Sequence, residues 1–443
     1  MKEQLWRWGA LTALWLAATT TFGQAVNSAA QTPESLRQPS KVLTLQDCLR
    51  LAESAPSAVS VAEQERAIAG RDLTRARAAF MPRAEMLNGF IYNSPRLDDR
   101  STFSFLPANG VREYTTFGAV TQEFDTSGRL RAQLQRARAG QDAARVNFDI
   151  ARRDLRRAVT VTYYRLLLTR HLVAVVGDAL KESQGFESRA KLLFEGGEAA
   201  RADLVKASAQ VAFLLQALNA AELEAKLANQ ELASFWTKDV DEPLRIADAL
   251  EEPAPAPADE SQDDVVPFRR RLEFSLFDAE RRGFQAEEKI ARSALKPQFG
   301  FVFQYGLDSS ALRFRDRGYA AYFTIRIPVF DWFRARGESQ QFQLRAEQVE
   351  TNRAVAERTF SREYRGALAR VKQLYEQIRL TREQVRLAEE DLQLSRVRYE
   401  GGEGSALDVV TSQNQLAQAR NNYYASVANY LNARTDLEAA SGK

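Results

Sequence analysis

The residue types that usually carry catalysis are nearly missing from this chain. Of 443 residues, one is histidine (His171), one is cysteine (Cys48) and three are methionine, too few for a zinc site or a soft-metal relay. His171 stands beside Leu172, Val173 and Val175 and reads as packing or surface. Cys48 has no partner for an internal disulfide and reads as a small buried helix residue. There is no Gly-rich phosphate loop, nucleophile elbow or His-Glu-x-x-His helix. An enzyme, a metal site and a cofactor are therefore not expected. What the sequence does repeat is an acid set just past a turn. Gly196-Gly197-Glu198 precedes Asp203-Leu204-Val205, and Gly401-Gly402-Glu403 precedes Asp408-Val409-Val410. An acid in the first turn of a helix is favoured by the helix dipole, so such a carboxylate needs further grounds before it is given a role.

The acids are carried by a duplicated chain. Ala76-Arg77-Ala78-Ala79-Phe80-Met81-Pro82 returns as Ala291-Arg292-Ser293-Ala294-Leu295-Lys296-Pro297, and Phe194-Glu195-Gly196-Gly197-Glu198 returns as Tyr399-Glu400-Gly401-Gly402-Glu403. Between these landmarks each half runs from a helix into a Pro-started strand, back along a second strand, and through a long helical hairpin. The expected boundaries are a signal peptide over 1–25, a flexible tail over 26–42, a first structural repeat over 43–236, a Pro- and acid-rich linker over 237–266 lying outside the packed wall, and a second repeat over 267–440. The signal peptide rests on Lys2 and Arg7, the apolar stretch Leu11 to Ala18, and the small-x-small site Gly23-Gln24-Ala25. Beyond it no apolar run approaches the roughly 18 to 20 residues a spanning helix needs, so any membrane crossing falls to strands.

Thr44 with Asp47 reads as a capping box that starts a helix running to about Phe80, bent at Pro56. Strands are expected over 83–93 and 114–124, and the second half shows its own by alternation. Phe299, Phe301, Phe303 and Tyr305 alternate with Gln298, Gly300, Val302 and Gln304, and Phe323, Ile325, Ile327 and Val329 alternate with Tyr322, Thr324 and Arg326. One face is greasy and the other wet, so Phe299, Phe301, Phe303, Tyr305, Phe323 and Ile325 are the expected lipid-facing residues. A soluble sandwich would alternate too, but two strands of about 10 residues per half make no stable sheet alone and match the length that crosses a bilayer at a tilt. Four strands per chain close only by pooling several copies.

From Gly128 to about Glu195 no proline interrupts a helical stretch. Leu155, Val159, Thr162, Leu166, Thr169, Val173, Val176 and Leu180 keep the 3.5-residue spacing of a coiled-coil seam, as do Val371, Leu374, Ile378, Thr381, Val385, Ala388, Leu392, Ser395 and Tyr399. The glycine pairs 196/197 and 401/402 are expected to supply the positive-φ positions that turn each hairpin. Basic and acidic residues number 61 and 58 and are interspersed, so no nucleic-acid footprint is expected.

Taken together, these landmarks resemble the TolC-like outer-membrane efflux protein family. The resemblance is carried by Leu43-Thr44-Leu45, the strand starts at Pro82 and Pro297, the strand exits Phe124-Asp125 and Ile327-Pro328-Val329-Phe330-Asp331, and Tyr399-x-x-Gly402-x-x-Ser405-x-x-Asp408-Val409-Val410. It spans nearly the whole chain after the leader. It implies a mainly α fold with membrane β: duplicated coiled-coil hairpins and four strands per chain, closing as a homotrimer with a twelve-stranded β-barrel and an α-helical tunnel. The implied function is a passive exit duct in the cell outer membrane, its tunnel extending into the periplasm, for a tripartite efflux pump or a type I secretion system. The implied partners are a periplasmic adaptor, an inner-membrane transporter and outer-membrane lipid, without nucleic acid.

The same resemblance implies roles at the hairpin tips. Asp408 would line the constricted tunnel entrance, where converging carboxylates favour cations. Asp203 is its equivalent in the first repeat, and Tyr399 would donate a hydrogen bond to it across neighbouring hairpins and hold an iris-like tip closed. Gly196, Gly197, Gly401, Gly402 and Ser405 would lie where the adaptor docks. Two departures from the family pattern are Thr411, where a second acid is frequent, and Gly404, where a basic residue sometimes stands; they imply weaker selectivity and a lighter latch. Two other readings stay open on the residues. A periplasmic coiled-coil adaptor would carry one hairpin between lipoyl-like β halves rather than two hairpins. A structural coiled coil would lack the aromatic stripe.

Overall fold

The computed structural model describes residues 42–92, 112–250, 256, 267–310 and 314–442. The expected signal peptide and nearly all of the tail lie outside the described residues, as do 93–111 and most of the Pro-rich stretch. Thr44 starts the first helix as its spacing predicts: its hydroxyl accepts from Asp47 N at 3.2 Å, and Asp47 Oδ2 accepts from Thr44 N at 3.2 Å. The expected single bent helix is two helices. α1 (Leu45–Ser54) ends before Ala55, which is extended at ψ 155, because the residue preceding a proline is pushed out of the helical region. Ser57 then caps a separate α2 (Ala58–Ala78).

After Pro82, β1 (Arg83–Tyr92) pairs with β2 (Arg112–Phe124), β2 with β3 (Gln298–Ser309), and β3 with β4 (Arg317–Arg326), all antiparallel, giving one sheet in the order β1-β2-β3-β4. The register sets Phe299, Phe301 and Tyr305 opposite Ile325, Phe323 and Tyr319, with the Phe301 and Phe323 rings 4.9 Å apart. Phe124, Val120, Met86 and Phe90 extend this face across the first repeat, where Asn88, Gly118 and Gln122 break up the pattern in the sequence. Ile327 and Val329 continue the alternation but not the strand. Pro328 has no N–H for a ladder bond, and the chain leaves the sheet at Arg326.

Two 67-residue helices follow the two strand pairs: α3 (Arg129–Glu195) and, in the second repeat, α6 (Arg334–Glu400). Each is about 100 Å long at 1.5 Å per residue. α4 (Arg201–Ala233) returns along α3, and α7 (Ala406–Ala440) returns along α6; α5 (Leu272–Ser293) leads into β3. The predicted seams face inward: Val159, Thr162, Leu166, Thr169 and Leu180 are buried on α3, and Val371, Ile378, Thr381, Leu392 and Tyr399 on α6. Near the sheet the helices pack side by side as α2-α3-α5-α6; towards the hairpin tips they pack as α4-α3-α7-α6. α4 corrects the expectation that no run after the leader is long and apolar enough to span a bilayer. Its alanines and leucines raise the mean hydropathy to 1.2 over a span-length window, yet it lies along α3 with Ala207, Leu214, Ala228 and Leu232 in the seam.

The largest core cluster sits midway along the helices, and the stretch 237–250 belongs to it, contrary to the expectation that this segment lies outside the wall. Its backbone is captured by side chains from the helices. Asn229 Nδ2 donates to Glu242 O at 2.8 Å, Asn229 Oδ1 accepts from Leu244 N at 2.9 Å, and Tyr163 Oη donates to Ala247 O at 2.6 Å. Arg170 donates to Leu244 O, and Leu43 bridges to this strand-like segment at Ile246. Leu250 is fully buried in the same cluster as Cys48, whose thiol is pushed up to about 12 by burial and the Asp47 charge. His171 is a packing residue here, its ring stacked on Tyr424 at 4.0 Å and its Nε2 2.7 Å from Asp248 Oδ2.

The second repeat is clamped to the first where α5 begins. Arg153 of α3 donates to both oxygens of Glu273 at 3.0 and 3.2 Å, and Arg271 donates to them at 2.9 and 3.3 Å while its guanidinium lies 3.7 Å from the Phe360 ring centre. Burial alone would raise the Glu273 carboxyl, but the bonds from Arg271 and Arg153 outweigh it and hold it at about 2. A carboxyl held below its unfolded value of 4.5 stabilises the fold above that value, and the contribution is lost as pH falls towards 2. Glu273→Gln is expected to cost about 2 kcal/mol near neutral pH. In denaturant unfolding, the gap between variant and parent should close as the pH is lowered from 4.5 towards 2.

Candidate functional site

The hairpin tips are built by one device used twice. α3 runs through Gly196 (φ −76) into Gly197 (φ +80), and α6 through Gly401 (φ −80) into Gly402 (φ +75). Each pair supplies the left-handed position through its second glycine, while Gly196 and Gly401 are still helical. The turn then closes on the carbonyls of the last helical turn: Glu198 N donates to Leu193 O at 2.8 Å, and Glu403 N to Arg398 O at 2.9 Å. Gly404 has a steric reason to be glycine. A Cβ there would meet Tyr399 N at 3.1 Å and Arg398 C and Cβ at 3.2 Å, so a larger side chain would press on the end of α6.

The two repeated aspartates differ in what they touch. Ser405 caps α7: its N and Oγ both donate to Asp408 Oδ2 at 3.0 Å, and its Oγ accepts from Asp408 N at 3.3 Å. The Ser405 backbone and hydroxyl bonds hold the exposed Asp408 carboxyl below its ordinary range. In the first repeat Ala200 stands at the cap and offers no side chain, and the Asp203 carboxylate makes no hydrogen bond or ion pair among the described residues. Tyr399 is buried in the seam with Leu392, Ala406 and Val409, its ring 5.1 Å from Phe186. The phenol is raised by burial and by the nearby Asp203 charge. Its hydroxyl has no hydrogen-bond partner, so the expected bond to Asp203 is not made: the ring is drawn into the apolar cluster instead.

About a dozen residues above the tip lies a polar node that sequence reasoning missed. Ser412, Gln413 and Asn414 are consecutive, so their side chains fan out by about 100° each, and each bonds a different helix. Ser412 Oγ donates to Asp391 Oδ2 of α6 at 2.6 Å and lies 2.9 Å from Ser395 Oγ. Gln413 Oε1 accepts from Ser183 Oγ of α3 at 3.0 Å, and Asn414 Oδ1 accepts from Gln210 Nε2 of α4 at 2.6 Å. The available signal was Ser412 itself, a polar residue at the seam position between Val409 and Leu416.

Residues 49–237 and 270–443 match the family model described as outer membrane efflux protein. No curated protein sequence matches the chain. Among solved structures, the Campylobacter jejuni CmeC outer membrane channel superposes with a TM-score of 0.78 at 16% identity over 90% of this chain and 85% of that one. The outer membrane protein VceC of Vibrio cholerae gives 0.77 at 17% identity over 90% and 96%. The open state of the Neisseria gonorrhoeae MtrE outer membrane channel gives 0.76 at 18% identity over 90% and 88%. At these identities the likeness is one of fold.

Removal of the unbonded hydroxyl in Tyr399→Phe is expected to leave stability within about 0.5 kcal/mol of the parent. Tyr399→Ala, which empties the tip cluster, is expected to cost about 3 kcal/mol. Denaturant midpoints of the two variants measure both effects.

Proposed function

The chain belongs to the outer membrane efflux protein family, and from that membership we propose that three copies close into a twelve-stranded barrel continued by a helical tunnel whose periplasmic tip opens when partners dock. It is an efflux channel of the outer membrane, with its tunnel in the periplasm. The observation that supports ring closure is that every level of the protomer leaves the same two flanks open. One flank is β4 and α6; the other is β1, α2 and α4. β1 and β4 are edge strands with every residue exposed, and in a four-stranded antiparallel sheet they run in opposite directions, so β4 of one copy can pair antiparallel with β1 of the next. On the helices, Leu380, Leu387 and Leu394 stand exposed on α6, and Val205, Phe213 and Leu223 on α4. A contact between two different surfaces repeats from copy to copy and closes as a ring, and lipid requires that the barrel have no open edge.

In this reading Phe299, Phe301, Phe303, Tyr305, Phe323 and Ile325 meet lipid. The Asp408 and Asp203 carboxylates converge at the tunnel entrance and favour cations. Tyr399 swings from the seam to Asp203 when the tip is shut, a two-state element that docking biases. The tips at Gly196, Gly197, Gly401, Gly402 and Ser405 receive a periplasmic adaptor, and an inner-membrane transporter supplies the driving force. The protein is a conduit and carries out no chemistry of its own.

Oxidation of Leu387→Cys with Phe213→Cys, in a Cys48→Ala background, is expected to yield linked dimers and trimers on a non-reducing gel; a chain that stays monomeric overturns the ring. In planar-bilayer recordings across a salt gradient, Asp408→Asn is expected to move the reversal potential towards zero, and Asp203→Ala to raise resting conductance. Unchanged recordings would remove both acids from the entrance.

A further inference from the structure

The junction between sheet and long helix is built differently in the two repeats. In the first, the turn after Phe124 places Gly128 at φ +81. In the second, Trp332 and Phe333 take φ +55 and +60, the only non-glycine residues with positive φ among the described residues. Bulky side chains avoid this region because Cβ crowds the backbone, and such outliers persist where the surroundings or a function hold them. Burial does not hold these two: Trp332 is 83% exposed, Phe333 67%, Phe330 63% and Val329 93%. The rings touch chiefly one another, with Phe330 edge-on to Trp332 at 4.8 Å and to Phe333 at 6.2 Å. The turn is fixed from below, where Asp331 Oδ2 accepts from Ala335 N at 2.9 Å.

We propose that this aromatic knot, Phe330-Trp332-Phe333, is an interfacial anchor seated among the anionic phospholipid headgroups of the bilayer leaflet nearest the helical tunnel. Two observations identify lipid as the occupant. The knot continues the exposed apolar face of β4 through Phe323, Ile325 and Ile327, so it stands where the sheet gives way to the water-facing helix. Arg334 and Arg336 directly after it, and Lys296 at the same end of the sheet, where Gln298 pairs with Arg326, are exposed and have no ion-pair partner among the described residues. Tryptophan prefers the headgroup level, and basic side chains there attract anionic lipid. The anchor fixes the depth at which the barrel sits. The proposal rests on the membrane barrel proposed above.

Trp332 reports on itself. After the expected leader only Trp236 and Trp332 remain, so Trp236→Phe leaves a single reporter in an otherwise native chain. The processed variant is reconstituted into vesicles of phosphatidylcholine and phosphatidylglycerol brominated either near the glycerol end or near the methyl end of the acyl chain. Quenching should be several-fold stronger from the shallow bromines, and stronger from brominated phosphatidylglycerol than from phosphatidylcholine at equal content. The headgroup preference should vanish when Lys296, Arg334 and Arg336 are each changed to Ser. Quenching by aqueous iodide alone, or by neither agent because a neighbouring copy covers the ring, overturns the anchor. Conductance in the same vesicles separates the two ideas: current without bromine quenching defeats the anchor alone, and absence of insertion and current defeats the barrel and the anchor with it.

Discussion

A strand with one unpaired edge cannot rest in hydrocarbon, because each N–H and C=O without a partner costs several kcal/mol there. That constraint organises this protein. The four strands pair among themselves and leave β1 and β4 as open edges. The helices inherit the same asymmetry. Because each strand pair feeds directly into a long helix, the open edges of the sheet and the open flanks of the helices lie on the same two sides of the protomer.

Between sheet and tips, stability comes from a belt of packing at mid-height. Tyr163, Arg170 and Asn229 spend their polar atoms on the backbone of residues 242–247, which ties the inter-repeat segment across the helices. Arg153 and Arg271 share Glu273 and bind the second repeat to the first. These charge-assisted bonds are directional, and they set the two repeats in one register where alanine-rich seams would tolerate several.

Much of this was legible in the residues. The glycine turns, the capping box at Thr44, the seam on α6 and the alternation on β3 are local patterns, and each appears where its chemistry places it. The misses in packing are long-range, while the break at Pro56 and the strand end before Pro328 are local. Asn229 captures a segment whose composition alone reads as a loose linker, and the apolar face of β1 and β2 is visible only once the register aligns Phe90 with Tyr114 and Phe124 with Phe299. Tyr399 fits two patterns at once, a seam aromatic and a donor for Asp203, and in this state of the protein packing decides between them. The difference between Asp408 and Asp203 reduces to one residue at the preceding cap, Ser405 against Ala200, which the duplicated pattern hides.

The node at Ser412, Gln413 and Asn414 has a mechanical meaning. A one-residue slip of α7 would break three bonds to three helices together, so the four rods cannot creep past each other at that height and can only hold or jump. Below the node each hairpin extends for little more than ten residues, about 15 Å. The tips are thus short reeds clamped at their base, and bending there leaves the long shafts above undisturbed.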